Sequence, residues 1–127
     1  MITEGQIVLF PFPQADLTAG NLRPALVVRE CPGPYSDWLI CMISLQIHQS
    51  ISGIDDIIHV TDPVFARTGL KQTSLIRATR LAIVAEKMLR GAIGNLDAKR
   101  LVRIQMRIAS WISASPRLNV SMSDSFH

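Results

Sequence analysis

The sequence predicts a mainly β protein with a C-terminal helix, built as a small, strongly bent antiparallel barrel. Two observations carry that expectation. Up to residue 84 the chain is a series of short apolar runs separated by Pro, Gly and polar clusters, which is the pattern of strands and turns. From Asp97 the apolar residues recur instead at helical spacing, and no segment is repeated elsewhere in the chain. Five or six short strands ending in one helix suit a small closed sheet.

Taken in order, QIVLF (6–10) is mostly apolar and alternates poorly, so it reads as a short buried strand. Pro11 and Pro13 stop it, because neither can donate to a ladder. PQADLTAGNLR (13–23) is a polar loop, long for a compact domain, and long loops commonly carry function. PALVVRE (24–30) reads as the second strand, with Pro24 tolerable at its first position. CPGPYSD (31–37) is turn chemistry, WLICMISLQI (38–47) the third strand and DIIHVTD (56–62) the fourth. SLIRATRLAIV (74–84) is expected to give a fifth strand and a sixth, with a bend near Ala78–Thr79. AEKMLRG (85–91) suggests one or two helical turns, and IGNL (93–96) a further short extended piece.

Asp97 then offers an N-cap to DAKRLVRIQMRIASWI, with apolar residues at 101, 104, 108, 111 and 112. Arg100, Arg103 and Arg107 fall on a neighbouring stripe, where a solvated basic face is the plain expectation. After Pro116 the tail has no period and is expected to fray, leaving one domain over 1–114 and a tail over 115–127.

A chain of 127 residues, 48% hydrophobic and with positive mean hydropathy, suits one folded core and excludes a disordered reading. No apolar run approaches the roughly 20 residues of a membrane span. The start, MITEGQ, lacks a basic segment followed by an apolar one, so no signal peptide is expected. Cys31 and Cys41 are the only cysteines and sit in no metal-ligand spacing. They read as reduced thiols of a cytoplasmic protein that binds no metal and needs no cofactor.

The net charge of +3 is unevenly spread. Residues 1–63 hold two arginines against seven carboxylates, whereas residues 64–127 hold eleven cations against three carboxylates. Ten of the thirteen cations are arginine, whose planar fork matches phosphate. That asymmetry admits a nucleic acid or an acidic protein as partner and proves neither.

The common catalytic templates are missing: there is no G-x-S-x-G, H-E-x-x-H, P-loop or G-x-G-x-x-G. His59 and His127 read as solvated or structural, and the adjacent Asp55–Asp56 pair as loop solubility, since strand neighbours face opposite ways. What survives is a set of arginines and a hydroxyl. Arg23 closes the long loop, held by the rigid Pro24 after it, and an antiparallel neighbour can bring Ser44 beside it. Arg77 and Arg80 flank the bend in SLIRATRL. Each has a plain alternative: a loop charge for Arg23, a strand-end hydroxyl for Ser44, surface ladder residues for Arg77 and Arg80.

The order and spacing of these blocks resemble the MazF/PemK family of toxin ribonucleases over about residues 4–112. EGQIVLFPFPQADLTAGNLRPALVV is similar to the family's opening strand, substrate loop and Arg-Pro strand. WLICMISLQI resembles the strand that ends in a catalytic hydroxyl, with Ser44 where threonine is usual. GLKQTSLIRATRLAIV, IGNLD and the last helix resemble the C-terminal half. The resemblance implies an SH3-like barrel, a homodimer, an antitoxin partner with an acidic segment, and metal-independent cleavage of single-stranded RNA.

It also implies Arg23 and Ser44 as the catalytic pair. RNA needs no metal for such a cut, because its own 2′-OH is a nucleophile beside the phosphate. The protein must orient the attack and stabilise the added negative charge, work that suits an arginine fork and a short hydroxyl. Thr18, Gly20 and Asn21 offer small polar groups to unstacked base edges, and Gln46, Arg77 and Arg80 complete the expected RNA-binding set. His48, four residues past Ser44, joins them as an aid to proton transfer, against its plain reading as a loop histidine. The competing expectation is a toxin similar to CcdB, which shares the barrel but poisons DNA gyrase through its last helix without any catalysis.

Overall fold

The computed structural model describes residues 1–11 and 21–119. Six strands form one sheet: β1 (Gln6–Pro11), β2 (Leu22–Glu30), β3 (Asp37–Ser44), β4 (Asp56–Ile58), β5 (Ser74–Ala85) and β6 (Ala92–Asn95). Helix α1 (Ala98–Ser113) follows. The strand order is β4-β5-β3-β2-β1-β6 and every pairing is antiparallel. Short 3-10 turns lie at Ile47–Gln49, Phe65–Thr68 and Glu86–Met88.

Both faces of the sheet are covered, which explains why QIVLF alternates so poorly. Ile7, Leu26, Cys41 and Ile76 pack with Ile104 and Ile108 of α1. The alternate residues Val8, Ala25, Val27 and Ile40 pack on the opposite face with Trp38 and Leu89. Each fully buried aliphatic side chain of this kind contributes roughly 1.5–3 kcal/mol. Asp97 caps α1, its carboxylate accepting from the Arg100 N–H at 3.1 Å. The same helix leaves Trp111 and Ile112 exposed at its end, so the expected apolar face buries Ile104 and Ile108 and packs Leu101 only in part.

The sheet bends until its two ends approach. The turn Phe65–Thr68, which leads from β4 to β5, lies against β6 at the far end of the strand order. The approach is backbone on backbone: a Cβ on Gly94 would sit 2.3 Å from the Arg67 carbonyl oxygen, and one on Gly69 only 2.1 Å from that of Ile93. Glycine is required at both places, and Gly69 also has φ +71°. Thr68, fully buried in the seam, donates to the Phe65 carbonyl and accepts from the Leu70 N–H.

Four expectations change here. The third strand ends at Ser44 rather than 47, where the Ser44 hydroxyl and the 3-10 turn after it capture the chain. The fourth shrinks to Asp56–Ile58, leaving His59 exposed beyond it. The fifth and sixth are one strand, β5, whose bend is a bulge: Arg77 faces Met42 but the next paired residue, Leu81, faces Cys41. Residues 78–80 therefore lose their ladder partners on β3.

The bulge explains the fourth correction, at Asp55. Far from serving solubility, Asp55 is only 6% exposed. Its Oδ1 accepts the Ala78 N–H of the bulge at 3.0 Å, and its Oδ2 accepts the Ile51 N–H at 3.0 Å. A buried N–H left without an acceptor costs about 1–3 kcal/mol, so a carboxylate replaces the lost ladder bond. Cys41 lies beside it, and burial first, then the charge on Asp55, pushes its thiol up to about 12. That thiol stays protonated and inert, and both cysteines are unbridged.

Candidate active site

Pro24 falls inside β2, opposite Leu9, rather than at its start. Leu9 donates its N–H to the Gly91 carbonyl and its own carbonyl accepts from the Arg90 N–H, so the Leu9–Pro24 pair exchanges no bonds. The donor that Pro24 lacks would face β3, one residue before that ladder begins at Ala25–Met42. Extending the same register by two residues puts Arg23 opposite Ser44 on one face of the sheet.

Both residues line a cleft of about 540 Å³. Arg23 is exposed, and its guanidinium has no ion-pair or hydrogen-bond partner among the described residues. Ser44 is half-buried, and its Oγ accepts the Gln46 N–H at 3.0 Å. That bond fixes the hydroxyl while leaving its own proton to donate outward. Gln46 lines the same cleft.

The opposite wall comes from the loop between Gly69 and Ser74, with Lys71 and Gln72 exposed towards the cleft. Sequence reasoning misses both. Their one local signal is a Gly-initiated polar stretch, GLKQTS, between two strands. Nothing local says that it folds back over Arg23.

The other expected site residues are more scattered. His48 is exposed on the turn Ile47–Gln49, and Asn21 is exposed before β2; neither lines the cleft. Arg77 is half-buried and donates from Nη1 to the Gln49 Oε1 at 2.8 Å, while Arg80 is exposed in the β5 bulge. These arginines also lie outside the cleft lining. Thr18 and Gly20 lie outside the described residues.

The basic stripe of α1 is not a solvated face. Arg100 pairs with Asp62 and with Asp97, Arg103 with Asp56 at 2.7 Å, and Arg107 donates to the Asp55 carbonyl at 3.0 Å. A backbone bond from Val64, with the Arg100 pair behind it, holds the Asp62 carboxyl below its ordinary range. At Asp97 burial would raise the carboxyl, but the bonds from Arg100 outweigh burial and lower it. Burial opposes the charge on Arg100 itself, and its two carboxylate partners prevail and raise it. These cations fasten the helix to the chain before β5. The cleft, by contrast, is lined by two cations, Arg23 and Lys71, with no carboxylate partner among the described residues.

A guanidinium without a partner among the described residues, beside an oriented hydroxyl, can bind a phosphodiester and stabilise charge added to it, and a second cation adds attraction for an anionic strand. Among the described residues no group of three or more His, Cys, Asp or Glu is placed to hold a metal ion.

The sequence profile described as PemK-like, MazF-like toxin of type II toxin-antitoxin system matches residues 3–112. The chain belongs to this family. No curated protein sequence matches it. Among solved structures, one similar chain is an endoribonuclease in complex with its cognate antitoxin from a mycobacterial species. It is 12% identical, with a TM-score of 0.62 over 91% of this chain and 98% of that one, and so shares the fold. Membership in the PemK-like toxins covers β1 through most of α1 and leaves the gyrase-binding alternative without support. No helix among the described residues of this PemK-like chain is long and apolar enough to cross a membrane.

Proposed function

We propose that this chain is the ribonuclease toxin of a toxin–antitoxin pair, a sequence-specific endoribonuclease that cuts single-stranded RNA without a metal ion. The observation that carries the proposal is the meeting of Arg23 and Ser44 in one cleft, the guanidinium uncompensated and the hydroxyl oriented. The RNA 2′-oxygen attacks the adjacent phosphorus as its proton passes to water, the P–O5′ bond breaks, the departing 5′-oxygen takes up a proton, and a 2′,3′-cyclic phosphate forms. Arg23 binds two phosphate oxygens and stabilises the charge gathered on them, and the Ser44 hydroxyl donates to the same group. A guanidinium, which is protonated in the resting enzyme, serves by charge and by delivering a proton to the departing 5′-oxygen, regained from water, rather than as a base. Gln46, which lines the same cleft, contacts the nucleotide beside Ser44 in this reading.

An acidic segment of a cognate antitoxin neutralises the protein by competing for the cationic cleft, and both partners act in the cytoplasm. The active form is a homodimer. Leu45, Ile47 and Ile51, which are 57%, 41% and 49% exposed, lie on the segment that follows β3, Leu45 within the cleft lining, and supply apolar surface that a two-fold copy would cover. Light scattering should give twice the monomer mass, and a monomer mass at all concentrations counts against the dimer.

The central test is incubation of purified protein with a long RNA in excess EDTA, followed by mapping of the ends. Cleavage is expected to persist, leaving 2′,3′-cyclic phosphate or 3′-phosphate ends and 5′-hydroxyls. Strict dependence on Mg²⁺ or Mn²⁺ would sink the mechanism.

A further inference from the structure

The loop facing Arg23 is held more firmly than an ordinary surface turn. Gly69 is pressed against the Ile93 backbone, and the Leu70 N–H is tied to the buried Thr68 hydroxyl at 3.1 Å. The Gln72 carbonyl accepts from the Ser74 hydroxyl at 2.7 Å, and Thr73 Oγ1 accepts from the Val60 N–H at 3.0 Å. Four successive constraints thus surround one residue, Lys71, whose own side chain is exposed and has no partner among the described residues. The helix arginines, by contrast, are paired with carboxylates or a carbonyl. A preorganised backbone presenting a single uncompensated ammonium into the Arg23 cleft is a way to fix an anion without spending much ordering entropy.

We propose that Lys71 is a second phosphate anchor, holding a phosphate that flanks the scissile one bound by Arg23 and Ser44, so that the cleft grips two phosphates of one RNA strand. The division of labour follows from the side chains. Arg23 has the fork that suits a phosphate changing shape during reaction, whereas an ammonium is a point charge that suits one that only needs holding. Lys71 is therefore a binding residue that adds affinity and register and leaves the chemical step alone. This inference rests on the cleft being the RNA site.

The test uses an RNA oligonucleotide spanning a mapped cut, made uncleavable by a single 2′-deoxy sugar at the nucleotide that supplies the nucleophile. A set of such strands carries a neutral methylphosphonate at one linkage at a time. Lys71→Ala is expected to weaken binding of the all-phosphate strand roughly tenfold, equivalent to about 1.4 kcal/mol. The slope of log affinity against log salt should fall by about 0.7, the value for one contact to a single strand. Wild type should lose the same tenfold when one particular flanking linkage is neutral, and Lys71→Ala should then lose nothing more. Lys71→Arg should restore the affinity, and all variants should melt with wild type. Unchanged affinity of Lys71→Ala, or losses that add at every flanking linkage, would overturn the anchor. Masking at the scissile linkage instead would place Lys71 on the reacting phosphate and overturn it too. A wild-type protein that cuts no RNA removes the underlying reading, whereas one that cuts while Lys71 fails these tests removes only the anchor.

Discussion

Arg23→Ala is expected to lower single-turnover RNA cleavage by about 10²–10³, the usual loss when one donor aimed at developing charge is removed. Arg23→Lys should recover little, because the bidentate fork is gone even though the charge remains. Folding should be almost unaffected, since the Arg23 side chain is exposed and bonds to none of the described residues, while its backbone pairing with Phe10 is kept in the variant. Ser44→Ala should cost less than Arg23→Ala, because it removes one neutral donor and leaves the Gln46 N–H able to reach water. Ser44→Thr should be tolerated or improved, as the added methyl stiffens the rotamer without removing the hydroxyl. Melting temperatures measured beside the rates separate catalysis from folding. A folded Arg23→Ala protein that cleaves like wild type would return Arg23 to an ordinary loop charge.

The second large effect concerns stability. Asp55→Ala should destabilise the fold by about 3 kcal/mol, because the buried Ala78 N–H loses a charged acceptor worth roughly 1.5–3 kcal/mol and the more exposed Ile51 N–H loses a second, for which water substitutes in part. Asp55→Asn tests the cause. It keeps the shape but turns one oxygen into an NH₂ group that faces the N–H of Ala78 or Ile51, so a loss of about 2 kcal/mol is expected. Urea unfolding measures both, with the slope m showing whether the denatured state has changed. An asparagine variant within ~0.5 kcal/mol of wild type, the range of an ordinary surface change, would mean that the carboxylate does not hold the bulge. The local consequence should be seen at Ala78, whose amide is expected to exchange with solvent faster in either variant.

Much of the architecture lies in local sequence. The apolar runs at 6–10, 24–30 and 38–44 are bounded by prolines, glycines and polar turns, and such punctuation acts over a few residues whatever the fold. Asp97 could be read as a cap because its acceptor serves a backbone N–H only three residues away. Arg23 and Ser44 could be named as candidates through the family resemblance, though their meeting in one cleft depends on the β2–β3 register.

Tertiary structure decided what depends on distant partners. Period and propensity show which residues prefer to be extended, but not that β5 skips three residues against β3, since a bulge exists only relative to the neighbouring strand. Asp55 resembles any loop carboxylate until Ala78, 23 positions later, is brought to it. Arg103 and Arg107 resemble a solvated stripe until α1 lies over residues 55–56, about fifty positions earlier. Lys71 and Gln72 reach the cleft only because Gly69 and Gly94 let two backbones touch, joining the ends of a bent sheet. The sequence by itself determined the first three strands and the helix, because each rests on preferences spanning a few bonds. The bulge, the buried acid and the second wall of the cleft were decided by closure, where contacts far apart in the chain must all be satisfied at once.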